Sequence, residues 1–236
     1  MRLLAADIDN TLTGDRAAYQ RLALLLSANR NVTIAYVTGR DKVQTFEVMT
    51  AECLGEPQYA LCNVGTEIYV GSDYRRDGAW TRYIDHGWDR LEVQEALITI
   101  PYLFQQSRQF EFKQSYHLFQ KADIVIAEIH KRLEEIGIEH KVLYSSGTDL
   151  DVIPKRAGKG EAVDYVRKRL RIRRKNVLAA GDSGNDIGLL SAGFLAVVVG
   201  NHKLELSTDN LPDDVYWARE RYAGGIIEGI QHFDFL

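Results

Sequence analysis

The sequence predicts an α/β fold: a Rossmann-like parallel-sheet core with helices on both faces, plus an inserted smaller α+β cap domain. Three observations point there. Short, nearly continuous apolar runs alternate with amphipathic helical stretches toward both ends of the chain. The central stretch differs, carrying strands rich in polar and aromatic residues around one helix. Most chemistry-bearing motifs fall just after an apolar run, at the end of the sheet where open α/β folds bind ligands.

Five runs read as strands buried on both faces: residues 3–8, 32–37, 59–64, 177–180 and 195–199. Helical patterns at 17–26 and 160–170 separate some of them. In the middle, 111–119 and 141–144 read as strands and 149–153 alternates in character. Between the first two lies a helix with Ile126, Ile129, Leu133 and Ile136 on one face, ended by Gly137. The cap is therefore placed at 81–154, and the core is discontinuous, built from 1–80 and 155–236.

Composition narrows the function classes. Of 236 residues, 45% are hydrophobic and 26% charged, with a formal net charge of −4, which describes an ordinary globular protein. That balance argues against an electrostatic nucleic-acid or membrane binder, and the basic run at 171–175 reads as a solvated helix end. Cys53 and Cys62 form no C-x-x-C pair and no disulfide framework. No stretch reaches membrane-spanning length, and the chain starts on an apolar strand instead of a leader, so a reducing cytoplasmic location is expected.

Four motifs carry chemistry. Asp7 and Asp9, in Asp7-Ile8-Asp9-Asn10-Thr11, follow the first strand. One carboxylate can attack phosphorus while the other serves as acid and base, with a hard Mg²⁺ ion screening the charge. Alone, the same residues could form a capped turn. Thr38-Gly39-Arg40 follows the second strand and offers a hydroxyl, bare backbone and a helix start to phosphate oxygens, with Asp41 as the helix cap. Lys159 precedes an amphipathic helix and can neutralise the nucleophile and the transferring group, although most lysines are simply solvated. Gly181-Asp182-Ser183-Gly184-Asn185-Asp186 brings Asp182 and Asp186 to one place, where they complete an oxygen-rich metal site with Asp7 and the Asp9 carbonyl.

In chain order these residues resemble the haloacid dehalogenase superfamily, with its pattern D-x-D-x-T, a hydroxyl residue, a lysine and G-D-x-x-x-D. The resemblance implies Asp7 as nucleophile, Asp9 as acid/base, and Lys159 as charge holder. Thr38, Gly39, Arg40 and Asn185 would bind phosphate, and Asp7, Asp9, Asp182 and Asp186 would hold Mg²⁺. A closer similarity, carried by DIDNTLTGD, VTGR, NVGTEIY, SYHL, SSGTDLDVIP, GKGEA, GDSGND and HFDFL, is to the bacterial, cyanobacterial-type sucrose-phosphate phosphatases. One departure is Asp41, where these relatives carry serine; beside phosphate it would be repelled, so it should turn away as a cap.

That similarity implies hydrolysis of sucrose 6-phosphate by a monomer, with a sucrose-phosphate synthase as a candidate partner. Sugar-binding candidates are Gly65, Thr66 and Glu67 in the core, and Lys113, Tyr116, His117, Ser145, Ser146 and Asp149 in the cap. Each has a plainer reading: His117 as a structural histidine, Ser145-Ser146-Gly147 as a hairpin turn, Phe110, Phe112 and Tyr116 as cap packing. The alternatives are a phosphatase for another glycosyl phosphate such as mannosylglycerate phosphate, a phosphomutase, and a non-catalytic sugar-phosphate-binding partner of a synthase.

Overall fold

The computed structural model describes residues 1–236. In chain order the first part holds β1 Arg2–Ala6, α1 Arg16–Ser27, β2 Val32–Val37, α2 Lys42–Ala51, β3 Tyr59–Cys62, β4 Glu67–Val70 and β5 Arg75–Arg76. The middle holds α3 Gly78–Ile84, α4 Arg90–Leu97, β6 Leu103–Gln105, β7 Gln114–Leu118, α5 Ala122–Glu135, β8 His140–Ser145 and β9 Asp149–Pro154. The last part holds α6 Lys159–Arg169, β10 Val177–Gly181, α7 Ile187–Leu190, β11 Leu195–Val198, β12 Tyr216–Trp217 and α8 Ala223–His232.

The larger sheet runs β12-β11-β10-β1-β2-β3-β4-β5. Its pairs are parallel from β12 to β3, and β4 and β5 add an antiparallel edge. Alternation along β1 shows why both faces must be covered. Leu3 and Ala5 pack on one side with Trp80, Val163 and Val166; Leu4 and Ala6 pack on the other with Leu22, Ile226 and Ile230. The second sheet, β6-β7-β9-β8, is wholly antiparallel. Its apolar side, with Leu150, Val152, Ile129 and Leu133, is continuous with the Leu3 side of the larger sheet. The join passes through α3, where the fully buried Trp80 donates its indole N–H to the Gly65 carbonyl at 3.1 Å.

The five apolar runs all form strands of the larger sheet, but three elements depart from the sequence reading. The antiparallel edge was not foreseen, because β4 is short and β5 is only two arginines. The strand expected over 111–119 begins at Gln114, since Phe110 pairs with Lys113 in a tight bend before it. Helix α5 buries Val125, Ile129 and Leu133 and leaves Ile136, just beyond its end, 46% exposed. Both cysteines are free thiols. No helix is long and apolar enough to cross a membrane.

The position of α6 matters most for the site, because its first residue is Lys159. A Cβ at Gly160 would collide with the carbonyl oxygen of Gly188 and meet the Ala192 methyl at 3.2 Å. Helix α6 therefore lies against α7 only because residue 160 is glycine. Gly160→Ala is expected to cost about 1–3 kcal/mol of stability through this overpacking. Urea unfolding of the purified variant measures it, and an unchanged midpoint would show that the two helices separate freely.

Candidate active site

The site lies at the carboxyl ends of β1, β2 and β10, three adjacent parallel strands. Asp7 is the first residue beyond β1, and its N–H continues the ladder to the Ala180 carbonyl at 3.0 Å. The chain then turns, with Asn10 in the left-handed region at φ 58°, so that Thr11 comes back under the site and its hydroxyl donates to Asp182 at 3.2 Å. Asp7 is 5% exposed, whereas Asp9 stands forward, half-exposed in the cleft.

Lys159 organises the buried part. Its ammonium donates to Asp7 Oδ1 at 2.6 Å, Asn185 Oδ1 at 2.7 Å and Asp186 Oδ1 at 2.6 Å. Three donors meet three acceptors, so a fully buried charge is satisfied in full. The other Asp186 oxygen accepts the N–H groups of Asp182 and Ser183 at 3.1 and 3.2 Å. Gly181 makes that approach possible: a Cβ there would lie 2.5 Å from the Asp186 carboxyl carbon.

Charge in this cluster is unbalanced. Carboxylate oxygens of Asp7, Asp182 and Asp186 lie within 4.8 Å of one another, with one buried ammonium among them. Burial pushes the Asp7 carboxyl well above its usual range, Lys159 opposes the shift, and Asp186 and Asp182 add to it. Burial and then Asp186 push Asp182 up to about 6. Burial alone would lower the Lys159 pKa, but the Asp186 and Asp7 charges outweigh it and hold the amine protonated. An all-oxygen, carboxylate-rich donor set with surplus negative charge fits a hard divalent cation such as Mg²⁺ and suits softer metals poorly.

The loop after β2 is fixed by backbone bonds. Thr38 N–H donates to Leu61 O at 2.8 Å, Val64 N–H to Thr38 O at 2.9 Å, and Asn63 N–H to Arg40 O at 2.7 Å. To reach them, Asn63, Val64 and Gly65 adopt φ values of 50°, 54° and 85°. For a β-branched valine this is strained backbone, held by its surroundings. Thr38 is buried, and its hydroxyl accepts the Arg40 N–H at 3.1 Å. Asp41 turns away as a helix cap, accepting Gln44 N–H at 2.9 Å, and also pairs with Arg108 at 2.6 Å. Arg40, expected to meet phosphate, lines the cleft beside Gly39 and Asn185. Its guanidinium clasps Asp9 through Nε at 2.7 Å and Nη2 at 2.8 Å and so holds that carboxylate in place.

The polar face of the second sheet covers these loops and leaves a cleft of about 390 Å³, in which Val64 and Phe110 are the only hydrophobic lining residues. Lys113, Ser145, Ser146 and Asp149 line it as the sequence suggested. Lys113 crosses to donate to the Gly39 carbonyl at 3.0 Å. Other candidates fall elsewhere. Tyr116 is 3% exposed on the opposite face of β7, because strand alternation turns Ser115 and His117 toward the cleft side. His117 sits outside the cleft lining, 3.4 Å from Asp149 and stacked on Phe119.

The core candidates are also redirected. Thr66 is fully buried and donates to Asn63 O at 3.0 Å, and Gly65 serves the Trp80 bond. Glu67 begins β4 and accepts from Asn63 Nδ2 at 3.1 Å and the Tyr69 hydroxyl at 3.0 Å, away from the cleft. Gln106, Arg108, Asp151 and Lys203 line the cleft and were missed. Asp151 alone had a signal, since it shares its face of β9 with Asp149 by period-two spacing.

A family model for sucrose-6F-phosphate phosphohydrolase matches residues 1–234. The chain belongs to this family. Among solved structures, the sucrose-phosphatase of Synechocystis sp. PCC6803 in complex with sucrose and phosphate is similar over 100% of both chains, at 38% identity and a TM-score of 0.93. Sucrose-phosphatase 1 of Nicotiana tabacum is 35% identical over 98% of the chain, which spans only 59% of that plant protein. The mannosylfructose-phosphate phosphatase of Agrobacterium fabrum is 27% identical over 99% of this chain and 97% of its own. As a member of the sucrose-6F-phosphate phosphohydrolase family, the chain keeps its acidic residues and lysine together in one buried cluster beneath a polar cleft.

Proposed function

We propose that this chain is a Mg²⁺-dependent phosphohydrolase that converts sucrose 6-phosphate to sucrose and phosphate through an aspartyl-phosphate on Asp7. The observation carrying this reading is the buried Asp7–Lys159 pair, with Asp9 standing forward of it in the same polar cleft. Family membership and the similarity to a sucrose-phosphatase along its whole length support the substrate.

Asp7 attacks phosphorus in line, held in place by Lys159, which also meets the charge building on the transferring group. Thr38, Gly39 and Asn185 receive phosphate oxygens. Asp9, fixed by Arg40, protonates the departing sugar oxygen and then takes a proton from the water that hydrolyses the acyl phosphate. Asp7, Asp182, Asp186 and the Asp9 carbonyl would hold Mg²⁺, which when bound screens the charge between carboxylate and phosphate. Residues 81–154 form the cap in this reading, and Lys113, Ser145, Ser146 and Asp149 present directed hydrogen bonds to the sugar. Closure of that cap keeps bulk water from the acyl phosphate.

A second reading is favoured by one relative. The Agrobacterium fabrum mannosylfructose-phosphate phosphatase matches almost end to end, so the same core could serve a different disaccharide phosphate. Phosphate release from sucrose 6-phosphate, mannosylfructose phosphate, mannosylglycerate phosphate and simple hexose phosphates, with and without Mg²⁺, separates the readings. Sucrose 6-phosphate is expected to be preferred, with release abolished by a chelator and restored by Mg²⁺. Preference for another sugar phosphate would keep the core chemistry and overturn the substrate; chelator-resistant release would overturn the metal.

A further inference from the structure

We propose that Glu205 is a positioning residue that couples the sugar-facing hairpin to the acidic loop, an inference resting on the phosphatase reading above. Glu205 lies in the long segment between β11 and β12, outside every motif of the sequence. Its Oε1 accepts the Gly184 N–H at 2.6 Å, and its Oε2 accepts the Ser146 N–H at 2.8 Å. One carboxylate thus satisfies two backbone donors, one in the turn after β10 of the larger sheet and one in the β8–β9 turn of the second sheet.

Both donors sit at informative places. Gly184 lies between Asp182 and Asp186 and precedes Asn185, which holds Lys159. Ser146 is at the tip of the β8–β9 hairpin, in the left-handed region at φ 58°, and it lines the cleft. Lys203 reinforces the link: its N–H donates to Asp182 O at 2.8 Å and its ammonium to Ser146 Oγ at 2.7 Å. The side chain of Asn210 braces the segment by donating to Glu205 O at 2.7 Å. Leu204, between the two, is 99% exposed, whereas Leu206 is buried against Leu190 and Val198 and anchors the segment beside these polar contacts.

Other bonds tie the second sheet and its loops to the core: Arg108 to Asp41 and Lys113 to Gly39 O on the Thr38 side, Arg76 to Glu111 at the β5 edge, and Lys141 to Glu161 on α6. Glu205 instead reaches inside the acidic loop. Seating the hairpin over a sugar therefore fixes Gly184 and its neighbours. A substrate with no sugar to engage the hairpin gains nothing from that link.

The test compares steady-state rates on sucrose 6-phosphate and p-nitrophenyl phosphate for Glu205→Ala and Glu205→Gln. Alanine removes both acceptors. Glutamine keeps one, because its amide nitrogen would face a second N–H donor. Glu205→Ala is expected to raise KM for sucrose 6-phosphate about tenfold and lower kcat several-fold, a loss about tenfold greater than on the aryl phosphate. Glu205→Gln should fall between alanine and wild type. Equal losses on both substrates would reduce Glu205 to a support of the acidic loop and overturn the coupling, as would no loss on either. Should wild-type protein prefer another sugar phosphate, the substrate reading falls separately. The coupling is then judged on that sugar by the same selective loss.

Discussion

Asp7→Asn is expected to cut phosphate release from sucrose 6-phosphate by about ten-thousandfold or more while leaving the fold intact. An amide is nearly the same shape as a carboxylate but cannot form the acyl phosphate. Its oxygen can still accept from Lys159, so the ammonium keeps three partners. The substitution also removes one of three crowded negative charges, and the Asp7 carboxyl is already held well above its usual range by burial. Unfolding stability without metal should therefore stay within about 1 kcal/mol of wild type or rise, as at other sites where function opposes stability. Activity and thermal unfolding on the same preparation check both halves. Substantial activity in this folded variant would remove Asp7 from the nucleophile role.

Lys159→Met should also lose activity, but together with stability. The ammonium is fully buried and bonded to Asp7, Asn185 and Asp186. Removing it strands two buried carboxylates beside a third, which costs about 3–5 kcal/mol in a group of this kind. Release of phosphate should fall by at least about a thousandfold, because nothing then meets the charge of the transferring group. The two substitutions share a partner and should not be additive. In the Asp7→Asn, Lys159→Met double variant one stranded charge is gone, so part of the lost stability should return. Urea unfolding of the four proteins measures this directly. Strict additivity would mean that the Asp7–Lys159 contact carries little of the energy.

How far the site was legible in the sequence follows from how local each residue's placement is. Asp7, Thr38 and Asp182 follow strands of a parallel sheet, and the topology alone brings such positions together. Lys159 follows no strand of the parallel sheet and depended on α6 starting against α7, a packing fact that Gly160 alone does not announce. Tyr116 was misplaced by a single step of strand parity, since Ser115 and His117 take the cleft side. The Thr66–Glu67 pair was misplaced because an antiparallel edge with only two residues in its last strand leaves almost no periodic signal.

Arg40 shows a different limit. The sequence places a guanidinium near the phosphate loop but not the direction in which it folds, and the nearest carboxylate, Asp9, captures both of its forks. Arg108, Lys203 and Glu205 were invisible for a related reason. Each meets a partner on the other sheet or on a distant loop, and sequence spacing says nothing about how the two sheets are seated.

The most direct measurement of the central claim is rapid acid quenching during turnover of phosphate-labelled sucrose 6-phosphate with Mg²⁺, followed by peptide mapping. Acid-stable, hydroxylamine-labile label on the peptide containing Asp7, absent from the Asp7→Asn protein, is the result expected for an aspartyl-phosphate. Rapid turnover with no label on that peptide, or label on a different residue, would contradict it.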